Sequence, residues 1–303
     1  LKMYLDHYSL KSKPFSLLPD PAYLYLSTQH SLAYHTMEYG LLEQAGITVI
    51  TGDVGAGKTT LLHHLLNQHH EDDLVVGLLS NTQRDTGTQL MKWVAMAFAL
   101  RHTHDKVTLL GNLQKFLVDN YAKGKKSVLI VDEAQNLTIK ALEELRLLNN
   151  INANQDELLK IVLVGQPELL DQLIRPELSQ FAQRVTLEFH LEALNVEETG
   201  CYIQHRLQVA GATQEIFDQD AIYTIYYLSG GIPRLINSLC DFALLYGYSS
   251  GRIRLSAGDI LEVAKGRRIG VINKQARDSG EMERARELIE NKTGINLAEV
   301  VNG

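Results

Sequence analysis

The sequence predicts an α/β protein in which helices cover both faces of a parallel β-sheet, followed by a small all-helical domain. Three observations support this fold class. A glycine-rich motif lies at residues 52–60, short apolar runs alternate with helical patterns up to about residue 190, and only helical patterns follow. Continuously apolar strands that alternate with helices are typical of parallel sheets buried on both faces.

The strands and helices can be placed from their patterns. The apolar runs predict strands at 46–50, 74–80, 128–131, 161–164 and 185–189. Helices are expected at 29–42 and after the glycine-rich motif, and then at 196–210, 218–229, 233–248 and 256–265. Strands of this length bounded by helical spacing are the usual signal of repeated β-α units.

The same patterns divide the chain into four segments. Residues 1–27 form a Pro-rich lead-in, expected to be extended and to lie on the next domain, because proline disfavours regular structure there. Residues 28–192 form the α/β domain and residues 193–265 the helical domain. Residues 266–303 form a polar tail with one helix near 281–292.

Composition bounds the possible functions. The chain has 303 residues, of which 45% are apolar and 21% charged, as in an ordinary globular protein. The net charge of −7 argues against a surface that is basic throughout, although local basic patches are compatible with it. No apolar run is long enough for a membrane span and no signal peptide opens the chain, so we expect a cytoplasmic protein. Cys201 and Cys240 fall in predicted helices, where we expect buried thiols in a reducing compartment.

The glycine-rich motif GDVGAGKTT has the spacing G-x-x-x-x-G-K-[ST]. We expect its residues to surround the phosphates of a bound nucleotide: Gly52, Asp53, Val54, Gly55, Ala56, Gly57, Lys58, Thr59 and Thr60. The glycines allow successive N–H groups to turn toward phosphate oxygens. Lys58 would reach the β- and γ-phosphates and Thr59 would bind Mg²⁺. The apolar run before the motif and the helical pattern after it provide the strand-loop-helix context that this interpretation requires.

A pair of adjacent carboxylates follows the third apolar run, in VLIVDEAQNL. At the carboxyl end of a strand, Asp132 would hold the Mg²⁺ shell and Glu133 would deprotonate the attacking water. Such a pair alone is more often a solvated turn. Its position about 70 residues after a phosphate loop favours hydrolysis.

Three further polar residues complete the expected site. Gln166 ends the next strand and is placed to sense the γ-phosphate, or else caps the helix that Pro167 begins. Arg175 and Arg184 precede the fifth strand, where each is either a surface charge or an arginine that acts on a neighbouring subunit. Arg234, in GGIPRL, begins a helix of the helical domain and is placed to contact the nucleotide.

This ordered set of motifs resembles the AAA+ class of P-loop NTPases, and more narrowly the general secretion pathway protein A-like (ExeA-like) ATPases. The matching stretches include KPFSLLPDPAYLYLS, TGDVGAGKTTLL, VLIVDEAQNLTIKALEELRLLNN, RPELSQFAQR and GGIPRLINSLCDFALL, within about residues 4–265. The resemblance implies a five-stranded parallel sheet plus a helical lid, with ATP and Mg²⁺ bound between them and between subunits. By position in the family pattern, Arg184 is the better arginine finger and Arg175 the second choice.

The resemblance also indicates which kinds of partner to expect. Family members of the cell envelope often continue into a membrane helix and a peptidoglycan-binding module, which this sequence does not show. We therefore expect a nucleotide-dependent homo-oligomer that remodels or recruits a partner complex, linked to secretion, pilus or exopolysaccharide export. The alternative is a DNA-binding regulator of the transposition-regulator type, whose ATPase activity would respond to DNA and salt. A helicase is disfavoured because no second RecA-like domain follows.

Several weaker sequence signals have both a functional and a purely structural interpretation. His63, His64, His69 and His70 suggest a metal site, but they do not share one helix face and fit a polar surface better. Tyr23 and Tyr25 would either stack on adenine or fix the lead-in to the core. A basic cluster would touch phosphates or remain solvated, and it consists of Lys265, Arg267, Arg268, Lys274 and Arg277.

Overall fold

A computed structural model gives the fold for residues 3–18, 20–43, 46–68, 74–80, 89–100, 105–153, 156–266, 280–297 and 300. These residues form two compact units. The α/β unit draws its residues from Thr28–Asp53 and Lys58–Leu191. The helical unit draws its residues from Leu1–Ser27, Val54–Gly57 and Glu192–Gly303.

The α/β unit is built on a parallel five-stranded sheet, as predicted. The strands are β1 (Ile47–Gly52), β2 (Leu74–Leu79), β3 (Lys126–Val131), β4 (Leu159–Gly165) and β5 (Val185–Leu191), in the spatial order β2-β3-β4-β1-β5. Every residue of β1 and β4 is buried, whereas exposure alternates along most of β5. Uninterrupted burial thus marks these two central strands, and alternation marks an edge strand.

Helices accompany the sheet in the α/β unit. They are α2 (Thr28–Leu42), α3 (Lys58–Gln68), α4 (Leu90–Ala97), α5 (Lys106–Ala122), α6 (Ile139–Asn149), α7 (Glu168–Leu173) and α8 (Ser179–Ala182). Leu90, Val94, Leu113, Leu117 and Leu145 pack with the strand side chains in one core. Their spacing of three or four residues places them on one face of each helix, which explains why these segments are helical here.

The helical unit contains α1 (Met3–His7) and five helices from the second half of the chain. These are α9 (Val196–Val209), α10 (Gln219–Ser229), α11 (Pro233–Ser249), α12 (Ala257–Lys265) and α13 (Gly280–Thr293). Asn195 and Glu198 form a capping box that starts α9, and Gly230 ends α10 in the left-handed conformation. Among the described helices, none combines the length and apolar composition needed to cross a membrane.

The lead-in differs from the extended segment predicted to lie on the α/β domain. It begins with α1, and Tyr4, Tyr8 and Phe15 are buried with the apolar side chains of the helical unit. The hydroxyl of Tyr8 donates to the carbonyl of Arg252, and the carbonyl of Pro14 accepts from Nε of Arg206. The aromatic residues of the lead-in therefore determine where the segment packs.

The tail and the cysteines also refine the sequence interpretation. Helix α13 packs on the helical unit through Met282 and Ala285, and the hydroxyl of Tyr226 donates to Glu281 over 2.8 Å. Cys240 is buried and its pKa is raised by that burial, but Cys201 is exposed, contrary to the expectation of two buried thiols.

Candidate nucleotide-binding site

The phosphate loop connects β1 to α3. Gly55 and Gly57 have φ values of 86° and 103°, a left-handed region that side chains with a Cβ rarely adopt. At Gly52, an added Cβ would approach the carbonyl oxygen of Leu191 to 2.5 Å. Glycine is thus required at these positions by backbone geometry, and the loop has the shape in which backbone N–H groups form an anion-binding concavity.

Lys58 is the first residue of α3 and is 9% exposed. Its Nζ donates to the carbonyl oxygens of Gly52 over 2.6 Å and Asp53 over 2.9 Å. Burial lowers the pKa of Lys58, and the nearby carboxylates of Glu133 and Asp132 oppose that shift. The ammonium group therefore lies within the loop that would hold the phosphates, close to the acidic residues after β3.

Thr59 and Asp132 meet across 73 positions of sequence. The hydroxyl of Thr59 donates to Oδ2 of Asp132 over 2.8 Å, and Asp132 is 8% exposed. The contact arises because β1 and β3 are parallel, so their carboxyl ends lie at the same edge of the sheet. A hydroxyl and a carboxylate at this distance are oxygen ligands of the kind that Mg²⁺ prefers beside nucleotide phosphates, so the residues fit this cofactor.

Glu133 follows directly, in the left-handed conformation with φ 55°. Its backbone N–H donates to Oδ1 of Asp132 over 2.9 Å, which fixes the turn after β3. Nε2 of Gln166, at the end of β4, donates to Oε2 of Glu133 over 3.2 Å. The structure thus brings together two residues that the sequence places at the ends of successive strands.

Gln135 was not among the predicted site residues. Its Nε2 donates to the same Oε2 of Glu133 over 2.6 Å, and its Oε1 accepts from the backbone N–H of Gln166 over 3.0 Å. The sequence signal was present in DEAQ, but a polar residue two positions after a strand-end carboxylate is also typical of a solvated turn. Only the fold shows that this turn folds back onto β4.

Arg234 is the second residue of α11 and is exposed. Within the helical unit, its backbone N–H donates to the carbonyl of Gly55 over 3.3 Å, and an added Cβ on Gly55 would come 2.5 Å from the Cβ of Arg234. Gly231, with φ 71°, makes the turn before α11, and its carbonyl accepts from the N–H of Leu194 over 3.0 Å. The start of α11 therefore lies against Gly55 within the helical unit.

The two candidate finger arginines lie on the surface of the α/β unit. Arg184 immediately precedes β5, and its guanidinium is 3.6 Å from Oε1 of Glu157. Arg175 is exposed between α7 and a short 3₁₀ turn. Because β5 rises on the order of 20 Å over its seven residues, Arg184 lies at the opposite edge of the sheet from Lys58 and Asp132.

The structure describes some of the residues for which the sequence gives weaker functional signals. The hydroxyl of Tyr23 contacts that of Ser12 over 2.5 Å, and the guanidinium of Arg206 lies 5.0 Å from the centre of the Tyr23 ring, which supports a role in fixing the lead-in. His64 lies beside Tyr34. Some residues of these candidates lie outside the described part of the chain, namely His69, His70, Arg267, Arg268, Lys274 and Arg277.

Comparisons with known proteins agree with this geometry. A family model described as an AAA domain matches residues 41–173. General secretion pathway protein A of Aeromonas hydrophila is 42% identical over 262 residues, which are 85% of this chain and 47% of that protein. The Mu-like prophage FluMu DNA transposition protein B of Haemophilus influenzae is 25% identical over 57% of this chain and 55% of that protein. The chain thus spans about half the length of these relatives.

A solved structure shows the same fold. The Aeropyrum pernix ORC2 protein, determined as ADPNP-ADP complexes, matches with a TM-score of 0.60 at 17% identity, covering 84% of this chain and 70% of that one. At such low identity the likeness concerns the fold alone.

Proposed function

Since the chain is an AAA+ P-loop protein related to general secretion pathway protein A, we propose that it binds ATP with Mg²⁺ and hydrolyses it to ADP and phosphate. The observation that carries this proposal is the 2.8 Å hydrogen bond from Thr59 to Asp132, with Glu133 next to it. It joins the phosphate loop to the acidic strand end, which is the pairing that Mg-dependent phosphoryl transfer requires.

Each residue has a distinct role in the proposed reaction. Lys58 and the loop N–H groups bind the phosphates, and Thr59 and Asp132 hold the cation shell. Bound Mg²⁺ supplies charge neutralisation at the phosphate oxygens. Glu133 accepts a proton from the attacking water, and Gln166 orients the Glu133 carboxylate through its amide. Arg234 contacts the nucleotide from the start of α11 and reports its state to the helical unit.

Glu133→Gln and Lys58→Ala test the proposal by ATP turnover in Mg²⁺ buffer. We expect Glu133→Gln to lower kcat by about 100-fold or more while ATP binding persists, because the base is lost but the phosphate contacts remain. Lys58→Ala should weaken ATP binding itself. Glu177→Gln, the same change at an exposed carboxylate, is the matched control and should keep full turnover. Undiminished turnover in Glu133→Gln would refute the assignment of the base.

We further propose that hydrolysis depends on self-assembly. Arg184 lies at the opposite edge of the sheet from the phosphate loop, so it can complete a nucleotide site only in a neighbouring subunit. An arginine supplied in this way contributes about 10³ to 10⁵ in rate in other NTPases. The assembled protein would then remodel or recruit a partner complex linked to secretion, pilus or exopolysaccharide export, in keeping with the similarity to general secretion pathway protein A.

A DNA-bound regulator is the second candidate. It is favoured by the similarity to the DNA transposition protein B of a Mu-like prophage, which covers 57% of this chain. ATP turnover measured against protein concentration, with and without duplex DNA, separates the two candidates. Stimulation by DNA that falls steeply with salt would favour the regulator. A rise with protein concentration and no response to DNA would favour a protein partner.

A further inference from the structure

Gln135 occupies a position between the proposed base and the end of β4. Its side-chain amide makes two hydrogen bonds, to Oε2 of Glu133 over 2.6 Å and from the N–H of Gln166 over 3.0 Å. A backbone N–H can only donate and a carboxylate can only accept, so one orientation of the amide satisfies both partners. The chemistry of its neighbours therefore determines which end of the Gln135 amide faces Glu133.

The surroundings hold Gln135 in place from two further sides. Nε2 of Gln172, on α7, donates to the backbone carbonyl of Gln135 over 2.9 Å. An added Cβ on Gly165, the last residue of β4, would lie 3.1 Å from Oε1 of Gln135 and 2.9 Å from a methyl group of Leu169. Glycine at 165 thus leaves the space that the Gln135 amide fills.

Glu133 itself needs such support. It lies in the left-handed region, which costs energy for a residue with a side chain, and its carboxylate is half-buried on a turn. Two amide donors converge on Oε2, from Gln135 and from Gln166, and hydrogen bonds to a charged acceptor are stronger and more directional than neutral ones. The shorter of the two comes from Gln135, a residue to which no role has yet been given.

We propose that Gln135 is a positioning residue, whose amide holds the Glu133 carboxylate in the orientation that takes a proton from the attacking water. This inference rests on the proposed ATPase function. Gln135 acts through Glu133. Gln166, by contrast, reaches Glu133 from β4, so the base is held between two elements of the α/β unit, the turn after β3 and the end of β4.

Two variants at this position separate orientation from packing. Gln135→Met keeps the length of the side chain but removes both hydrogen bonds, and we expect kcat to fall about 10- to 100-fold, the range that misplacement of a reacting group costs. KM for ATP should stay within about twofold, because Lys58 and the loop are untouched. Gln114→Met, the same change at an exposed glutamine of α5, is the control and should leave kcat unchanged.

Gln135→Glu is a second test. It keeps an acceptor for the N–H of Gln166 but replaces the amide that donates to Glu133 with a carboxylate, which repels the carboxylate of Glu133. We expect kcat to fall at least as far as in Gln135→Met, with KM for ATP within about twofold of the wild-type value. Wild-type kcat in either variant would overturn the proposal.

A third measurement does not depend on turnover. In a double-mutant cycle of unfolding by urea, Glu133→Ala and Gln135→Met should be non-additive, because either change alone breaks the same contact. Additive effects would overturn the positioning role even if the protein is an active ATPase. If the wild type shows no turnover, the proposed function fails, and the cycle still decides whether Gln135 holds Glu133.

Discussion

Gly231 lies in the turn before α11, where the space that a Cβ atom would need is already occupied. Its φ of 71° is left-handed, and an added Cβ would overlap the carbonyl oxygen of Leu194, whose N–H is bonded to Gly231. We expect Gly231→Ala to lower the free energy of unfolding by about 2 to 5 kcal/mol, from the left-handed penalty plus overpacking. Gly251→Ala should cost only about 1 to 2 kcal/mol, because Gly251 has a similar φ of 67° but open space around it. Urea unfolding followed by circular dichroism compares the two. Equal losses would mean that the backbone at Gly231 relaxes freely.

The hydroxyl of Thr59 leads to a prediction about how turnover depends on the Mg²⁺ concentration. Thr59→Val keeps the shape of the side chain but removes the hydroxyl that donates to Asp132. We expect turnover at a fixed Mg²⁺ concentration to fall about 10- to 100-fold, and the Mg²⁺ concentration for half-maximal turnover to rise. Thr59→Ser should restore both values, since it restores the hydroxyl. If Thr59→Val kept wild-type Mg²⁺ dependence, the assignment of Thr59 to the cation shell would be wrong.

The individual site residues differ in how far sequence could place them. The motifs place Lys58, Thr59 and Asp132 at fixed numbers of residues from the end of a strand. This spacing determines their positions relative to one another irrespective of the rest of the chain. Gln135 has no such signal, because its contact with Glu133 depends on the left-handed turn at Glu133 and on the backbone of β4. Its position is determined by the fold, and a single sequence does not reveal that.

At the scale of elements, the carboxyl end of α2 is held by lysines from two neighbouring strands. Nζ of Lys160, on β4, donates to the carbonyl oxygens of Leu41 and Glu43, and Nζ of Lys126, on β3, donates to that of Leu42. Cations at this end of a helix compensate its last carbonyl groups. Lys160 is 8% exposed, and burial, together with the charge of Lys126, lowers its pKa to about 8.

The Lys160 shift predicts a pH dependence of stability. Between about pH 8 and pH 10.5, the unfolded chain binds more protons at Lys160 than the folded chain, so this group adds stability as the pH rises and removes it as the pH falls through about 8. The stability of the wild type relative to Lys160→Met should therefore increase from pH 8 to pH 10 in urea titrations, and stay level between pH 6 and pH 7. Lys115→Met, at an exposed lysine, is the control and should show no such trend. A flat difference for Lys160→Met would contradict the shift.

Sequence located most elements closely, for a physical reason. β3 and β4 each contain an uninterrupted run of Val, Ile and Leu, at 128–131 and 161–164, because both of their faces are buried, and this pattern is visible without the fold. Helix α1 has no comparable signal. It spans only five residues and is stabilised by tertiary contacts of Tyr4 and Tyr8 with distant parts of the helical unit. The prolines alone therefore predict an extended lead-in, and its packing within the helical unit depends on contacts that the sequence pattern does not show.

For the whole molecule, the position of Arg184 predicts that active sites are shared between subunits. Lys58→Ala and Arg184→Ala should each be nearly inactive alone. When they are mixed in equal amounts, a working site forms wherever an Arg184→Ala subunit lies next to a Lys58→Ala subunit in the required order. For head-to-tail assembly with random mixing, turnover should recover to about a quarter of the wild-type value.

The mixing experiment also tests the choice of arginine. No recovery would contradict a trans role for Arg184, and recovery with Arg175→Ala in its place would move the assignment to Arg175. Mixing Lys58→Ala with Glu133→Gln is the matched control, because Lys58 and Glu133 serve the same nucleotide in the proposed mechanism. That mixture should stay inactive.

The order of the strands has a consequence for biosynthesis. β1 is made first, yet its neighbours in the sheet are β4 and β5, whose residues leave the ribosome more than about a hundred residues later, on the order of ten seconds at typical rates of synthesis. Until then, a strand that is entirely buried in the folded protein has neither of its native neighbours. The nascent chain must avoid premature pairing during that interval, and Gly52, at the start of the phosphate loop, meets Leu191 only once β5 has emerged.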